Sequence, residues 1–295
     1  MYKPNGVMTS MVTSFDAQGQ VHEAGIRQNI EFQRKAGIET VVLLGGTGEP
    51  ISMSAREREH VMEIGRSAAA KDMKVVSSAL VGNPGEVVQD IEAAYRHGAD
   101  ACMITTPPFV RPSEQDVYRF LTEVALRSKL PLIVFNVPSR AGFLMTPSLV
   151  ERAARDIDLL VGIKESSRDI VQFSEIRQRT PAEFACLQGV DSLYLASLAL
   201  GGNGGILAAA AAFPEYCLGI DRAVRAGDLE TARKWHYELM PAVHLLYEAS
   251  HPAPLKRAIE ARGLQVGATR PPLYGITDDL AKRMCASTVR LVDRL

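Results

Sequence analysis

In this sequence of 295 residues the side chain with the most direct chemical potential is that of Lys164, which closes the apolar run Leu159-Leu160-Val161-Gly162-Ile163. At the end of such a run desolvation disfavours the ammonium and frees a nucleophilic amine, the species that condenses with a ketone to form an imine. A lysine that snorkels from a strand end or pairs with a carboxylate fits the same position. Two more segments carry residue types suited to binding. Gly45-Gly46-Thr47-Gly48-Glu49 could aim backbone N–H groups and the Thr47 hydroxyl at a carboxylate or phosphate, or form a tight turn without a ligand. It matches neither GxGxxG nor GxxxxGK[ST], so no nucleotide is indicated. Phe135-Asn136-Val137-Pro138-Ser139-Arg140-Ala141-Gly142 places Arg140 after a Pro-Ser turn, where its guanidinium could fork onto a substrate carboxylate or stand in solvent.

These segments must be positioned by the elements around them. Short apolar runs rich in β-branched residues alternate with amphipathic stretches, the pattern of repeated βα units on a parallel sheet. Eight strands are predicted, over Val7–Thr13, Thr40–Leu44, Lys74–Ser78, Ala101–Ile104, Leu132–Phe135, Leu160–Ile163, Phe184–Leu187 and Gly205–Leu207. Ser54-Ala55-Arg56-Glu57 is a capping box, and Thr146-Pro147 supplies an N-cap hydroxyl before a first-turn proline. Eight such units suit a closed (β/α)8 barrel, although a doubly wound open sheet gives the same local periodicity. Lys164 and the two binding segments follow apolar runs, which in a barrel means the C-terminal ends of strands, where reactive groups gather. Beyond Gly227 the alternation stops and the pattern turns helical, over Asp228–Tyr247, Pro254–Arg262 and Thr277–Asp293. The expected organisation is therefore a catalytic barrel over 1–226 and a C-terminal helical domain over 227–295, packed on the barrel.

Composition narrows the partners. The chain is 46% apolar and 23% charged, and 33 Lys plus Arg balance 34 Asp plus Glu to a net charge of −1. No strong field exists to gather nucleic acid or an anionic membrane, so a small-molecule partner is expected. Cys102, Cys186, Cys217 and Cys285 lie far apart, with neither CxxC nor zinc spacing, and read as buried small hydrophobes in a reducing compartment. His22, His60, His97, His236, His244 and His251 show no ligand spacing, and none is assigned to a metal. Neither a signal peptide nor a membrane-length apolar run is found, and a cytoplasmic location is expected.

Taken in order, the segments resemble the dihydrodipicolinate synthase and N-acetylneuraminate lyase family over essentially the whole chain. GGTGE resembles the family's G-[ST]-T-G-E carboxylate-binding turn, TTPPFVRP its TPYYxxP segment, FNVPSRAG its YN[VI]P-x-x-[TS]-G, and GIKESS its GxK[ED]-[AS]-[ST] Schiff-base strand. Gly201–Ile206 and the HPAPLKRAI segment at His251–Ile259 also fit. The resemblance implies an imine at Lys164, carboxylate binding at Gly46 and Thr47, and a backbone carbonyl at Ile206 near the site. It further implies no metal or cofactor, a second-carboxylate role for Arg140 as in the synthase branch, and a homotetramer built as a dimer of dimers.

The departures from the family bear on the substrate. Phe135 stands where a catalytic tyrosine is usual, Phe109 where a second tyrosine reaches in from a neighbouring subunit, and Gly46 where a hydroxyl residue links the two. A phenol with pKa near 10 can shuttle a proton to a carbinolamine or aldol oxygen, typically contributing about 10²–10⁴ in rate, and phenylalanine cannot. Either another donor serves, such as Thr47, Ser166, water or the substrate's own carboxylate, or the chemistry has changed. Pro108 and Ala55 replace ligands of the family's lysine feedback site, although Glu86 remains, so insensitivity to lysine is expected. The leading expectation is a metal-free lyase or aldolase that forms a Schiff base with pyruvate or another 2-oxo acid. A 2-oxo-3-deoxy sugar acid dehydratase or aldolase would begin with the same imine. A non-catalytic barrel that binds 2-oxo acids is the alternative of another class, and a phosphate-binding barrel enzyme rests on the glycine turns alone.

Overall fold

The computed structural model describes residues 2–295. Eight parallel strands form a closed barrel in sequence order: β1 (Gly6–Ser10), β2 (Thr40–Val42), β3 (Lys74–Ala79), β4 (Ala101–Thr105), β5 (Leu132–Asn136), β6 (Leu160–Glu165), β7 (Ala185–Gln188) and β8 (Gly204–Leu207). Helices cover its outside: α1 (Glu23–Ala36), α2 (Ala55–Ala68), α3 (Pro84–Arg96), α4 (Glu114–Arg127), α6 (Pro147–Asp156), α7 (Ile170–Arg179), α8 (Tyr194–Ala199) and α9 (Pro214–Arg225), while the single turn α5 (Pro138–Ala141) sits at the barrel mouth. A C-terminal helical region follows, with α10 (Leu229–Leu246), α11 (Ala253–Ala261) and α12 (Asp278–Val292). This is the (β/α)8 barrel expected from the alternation, and the open sheet is excluded because β1 pairs with β8.

Each strand is buried on both faces, so its side chains divide by the two-residue period into two cores. Met8, Val42, Val76, Met103, Ile133, Leu187 and Ile206 fill the inside of the cylinder. Val41, Val75, Ile104, Val134 and Ile163 point outward against the helices. Helix starts follow the local chemistry read from the sequence. Ser54 and Glu57 close a reciprocal capping box on α2, and Thr146 accepts from the Leu149 N–H ahead of Pro147 on α6.

Several boundaries shift for physical reasons. The ladder of β1 ends at Ser10 rather than Thr13, because after Met11 donates to the Val42 carbonyl the chain turns and the Thr13 hydroxyl bonds the Gly48 carbonyl. β6 runs on through Lys164 and Glu165, whose polar groups are accommodated at the barrel mouth rather than expelled from the strand. Of the four cysteines, three are buried as expected. Cys285 is exposed, on the outer face of α12, and corrects that reading.

The C-terminal helices share the outer core, with Leu239, Leu246, Leu255, Ile259 and Met284 buried in it. Among the described residues no helix is long and apolar enough to cross a membrane.

Closure of the barrel depends on close backbone approach at Gly204, where a Cβ would lie 2.1 Å from the Gly6 carbonyl oxygen and 2.5 Å from its nitrogen. Gly204→Ala is expected to cost about 3 kcal/mol in urea unfolding, since backbone must move to admit the methyl. Gly227→Ala, at a position with open space and φ of +76°, should cost only about 1 kcal/mol.

Candidate active site

The β-strand period fixes which way the mouth residues face. Phe135, Lys164 and Leu187 are aligned neighbours across β5, β6 and β7 and share the inward register. Lys164 is only 5% exposed, and its Nζ lies 4.2 Å from the centre of the Phe135 ring. Burial lowers the ammonium to about 8, with Asp191 opposing the shift and Arg140 adding to it. Among the described residues no carboxylate forms a salt bridge with it; the electrostatic influence of Asp191 acts without direct contact. The adjacent Glu165 faces the other way, where it accepts hydrogen bonds from Asn136 Nδ2 (2.7 Å), the Ser167 N–H (2.6 Å) and Gln172 Nε2 (3.2 Å). One strand therefore presents a poorly hydrated amine inward and a fully occupied carboxylate outward.

Space for a reactant lies beside this amine. A cavity of about 210 Å³ is lined by Lys164 together with Gly46, Thr47, Phe135, Arg140, Ser166 and Ile206, so seven of the residues singled out in the sequence converge. Gly189 keeps it open. A Cβ there would lie 2.0 Å from Ser166 Oγ and 2.8 Å from Lys164 Cε. Ser166 Oγ is buried and makes no hydrogen bond. Phe109 is not brought in: at φ +71° its ring stands fully exposed, 104% on the reference scale, outside the cavity of its own chain. A second, mostly apolar cleft of about 480 Å³ shares Gly46, Phe135, Val137, Arg140 and His251 and extends past Leu80, Pro108 and Leu273.

The glycine turn is held under local strain. Leu44 and Glu49, at φ +59° and +57°, bracket it in the left-handed region that non-glycine residues seldom adopt. Glu49 is anchored from the C-terminal region, by a 2.8 Å ion pair to the buried Lys256 and by the Arg270 N–H at 2.9 Å. Phe15 lies between those two cations, with Lys256 Nζ 4.5 Å and the Arg270 guanidinium 4.3 Å from its ring centre. Gly46 leaves room for Arg140, whose Nη1 would be 3.2 Å from a Cβ at that position, so a larger residue there would require the guanidinium to give by a few tenths of an ångström.

Five groups at or behind the cavity, Ser10, Asp191, Arg168, Tyr247 and His251, went unread as site residues in the sequence. The Ser10 hydroxyl donates to Thr47 Oγ1 at 3.0 Å, and His251 Nε2 lies 3.1 Å from the same oxygen. Burial holds the His251 imidazolium down at about 3, with Arg140 and Lys164 contributing, so the ring is neutral. Tyr247 stacks on that ring, centroids 5.3 Å apart, and its hydroxyl donates to Asp191 Oδ2 at 2.6 Å. Arg168, at φ +69°, adds a second guanidinium to the mouth. The only sequence signal for any of them is the HPAPLKRAI segment, which contains His251 but does not say that it reaches the barrel. Among the described residues no cluster of three His, Cys, Asp or Glu side chains is arranged to hold a metal ion.

A (β/α)8 barrel with a desolvated amine at its C-terminal rim, beside a hydroxyl-bearing glycine turn, has the architecture of the class I aldolase type of lyase. Comparison with known proteins gives the family. The model of the dihydrodipicolinate synthetase family matches residues 3–289. The 4-hydroxy-tetrahydrodipicolinate synthase of Archaeoglobus fulgidus is 34% identical over 95% of both chains, and that of Methanoculleus marisnigri 35% identical over 91% of this chain and 92% of the other. The crystal structure of dihydrodipicolinate synthase from Aquifex aeolicus superposes with a TM-score of 0.94 at 28% identity, covering 97% of this chain and 98% of that one. The 4-hydroxy-tetrahydrodipicolinate synthase of Methylacidiphilum fumariolicum gives 0.95 at 26% identity, covering 99% and 97%. The chain belongs to the dihydrodipicolinate synthetase family, and its relatives are lyases of the class I aldolase type.

The Glu49–Lys256 pair supports the strained turn from a buried position, so removal of one partner strands a charge. Lys256→Met is expected to lower stability by about 3–5 kcal/mol in denaturant titration, and the double variant Glu49→Gln/Lys256→Met to lose less than Lys256→Met alone.

Proposed function

We propose that the chain is a Schiff-base-forming lyase or aldolase acting on pyruvate or another 2-oxo acid, with Lys164 as the nucleophile. The observation that carries this reading is a buried amine with no ionic partner, its ammonium depressed to about 8, facing open volume at the barrel mouth. The neutral nitrogen adds to the ketone carbon, the oxygen leaves as water, and the resulting iminium draws electrons from the neighbouring carbon. The enamine so formed attacks an aldehyde, or in the reverse sense a bond to that carbon breaks. Thr47 and the Gly46 turn take the 2-oxo acid's carboxylate, the Ile206 carbonyl borders the reacting centre, and Arg140 takes an anionic group on the second reactant. Ser166 is the remaining hydroxyl beside Lys164, and Phe135 covers the amine without exchanging a proton. The fully exposed Phe109 ring suits burial against a second copy of this chain, as in the homotetramer that the family resemblance implies.

Two measurements test the reading. Incubation with pyruvate and borohydride should add the mass of a reduced pyruvyl adduct, located by peptide mass spectrometry at Lys164 and absent in Lys164→Ala; an unmodified Lys164 counts against it. The rate of adduct formation should also rise with pH through about 8 as the amine loses its proton, and level off above. Below that point the neutral fraction falls about tenfold per pH unit, so a rate independent of pH from 6 to 9 would place the nucleophile elsewhere.

A further inference from the structure

The chain lacks a phenol at Phe135 and a hydroxyl at Gly46, yet a phenol enters the same cavity from another element. Tyr247 follows the last turn of α10, and together with His251 and Thr47 it lines the space beside Lys164. One edge of its ring is open to solvent (39% exposed), while its hydroxyl is turned inward onto Asp191, which is 3% exposed. The second carboxylate oxygen of Asp191 accepts the Ala209 N–H at 2.9 Å, so the carboxylate is fixed by the turn after β8. Stacking on His251 restrains the ring from the other side.

We propose that Tyr247 is the catalytic proton carrier of this site, exchanging protons with the carbinolamine at Lys164, and that Asp191 positions the phenol and holds its proton in transit. The proposal rests on the Schiff-base reading of Lys164. The neighbouring groups favour the phenol over its alternatives. His251, held neutral by burial, offers no acidic proton at working pH. The Thr47 hydroxyl already receives Ser10 and faces His251. The charged groups that face the phenol are Asp191, Arg168 and Arg140, and burial keeps both the phenol and the Asp191 carboxyl more prone to hold a proton than in water.

As far as the neutral imine, the proton balance closes without an outside donor. Attack of the neutral amine forms the N–C bond and leaves two protons on nitrogen and a negative charge on oxygen. The phenol oxygen accepts one of these protons while its own passes to Asp191; the same transfers in reverse protonate the carbinolamine oxygen. A second passage carries the remaining nitrogen proton to the departing hydroxyl as the C–O bond breaks and the nitrogen pair closes the C=N bond. At this point the amine has lost two protons, the oxygen has left as water with two, the Tyr247–Asp191 pair is back in its starting state and the product is the neutral imine; one proton taken up from solvent then gives the iminium that draws electrons from the neighbouring carbon.

The test is the rate of adduct formation with pyruvate, quenched by borohydride at set times and read by intact mass. Tyr247→Phe should slow it by about 10²-fold or more, with the final extent unchanged. Tyr247→Phe/Phe135→Tyr should recover at least about tenfold of that loss, because the phenol is returned from β5. Asp191→Ala should be slowed as well, and added formate, not chloride, should restore part of its rate, a response that lost packing alone does not give. Melting curves identify any variant that fails to fold, and the Tyr247→Phe rate then decides the matter alone, since that change removes one oxygen. No adduct in the wild-type protein overturns the Schiff-base reading and the relay with it. Normal wild-type adduct formation with an unchanged Tyr247→Phe rate overturns the relay alone.

Discussion

The organisation of the molecule turns on keeping one amine out of water without giving it a counterion. A buried ammonium beside a carboxylate would be charged and inert, whereas burial against Phe135 with Asp191 only an electrostatic neighbour lowers the ammonium to about 8 and frees a usable fraction of the amine near neutral pH. That balance needs a rigid wall on every side. The closed ring of parallel strands supplies it, because strands buried on both faces admit only side chains that fit, and Lys164 is the cation that the inner register brings to the rim. Glycine at position 189 completes the arrangement by giving up the volume the lysine stem occupies.

The C-terminal helical region forms part of the same wall. Its side chains reach the glycine turn through Lys256 and Glu49, the Thr47 hydroxyl through His251, and the strand ends through Tyr247 and Asp191. The left-handed residues on either side of the turn are tolerated because these contacts fix the backbone between them. Arg140 and Gly46 show the same interdependence within the barrel. A larger residue at 46 would press on the guanidinium, so the glycine and the arginine fit one another.

Much of the fold could be read locally. Alternating β-branched runs and the capping residues Ser54 and Thr146 report on backbone preferences within a few residues, and both survive in the structure. Lys164, Thr47 and Arg140 could be placed at the mouth because their segments follow apolar runs, and strand ends converge in a barrel; Ile206 is indicated by the family resemblance. Tyr247, His251 and Asp191 could not. Their bonds span 56 residues from Tyr247 to Asp191 and 204 from His251 to Thr47, and a tyrosine at the end of an amphipathic helix has no periodicity that points to a cavity. His251 carried no ligand spacing, and sequence gives no angle between a helical appendix and the barrel it covers. Phe109 shows the opposite limit: a position that its motif places beside the site stands in solvent in the structure of the single chain.

The short stretch between Tyr247 and Lys256 carries a phenol, an imidazole and an ammonium to three separate points of the mouth. The strands hold Lys164, while this connection places polar groups around it. The two parts are joined by side-chain contacts rather than by shared backbone. Such a scaffold is modular: exchanging one inter-helix segment between related cylinders would change the polar surroundings of the Lys164 amine and leave that nitrogen where it stands.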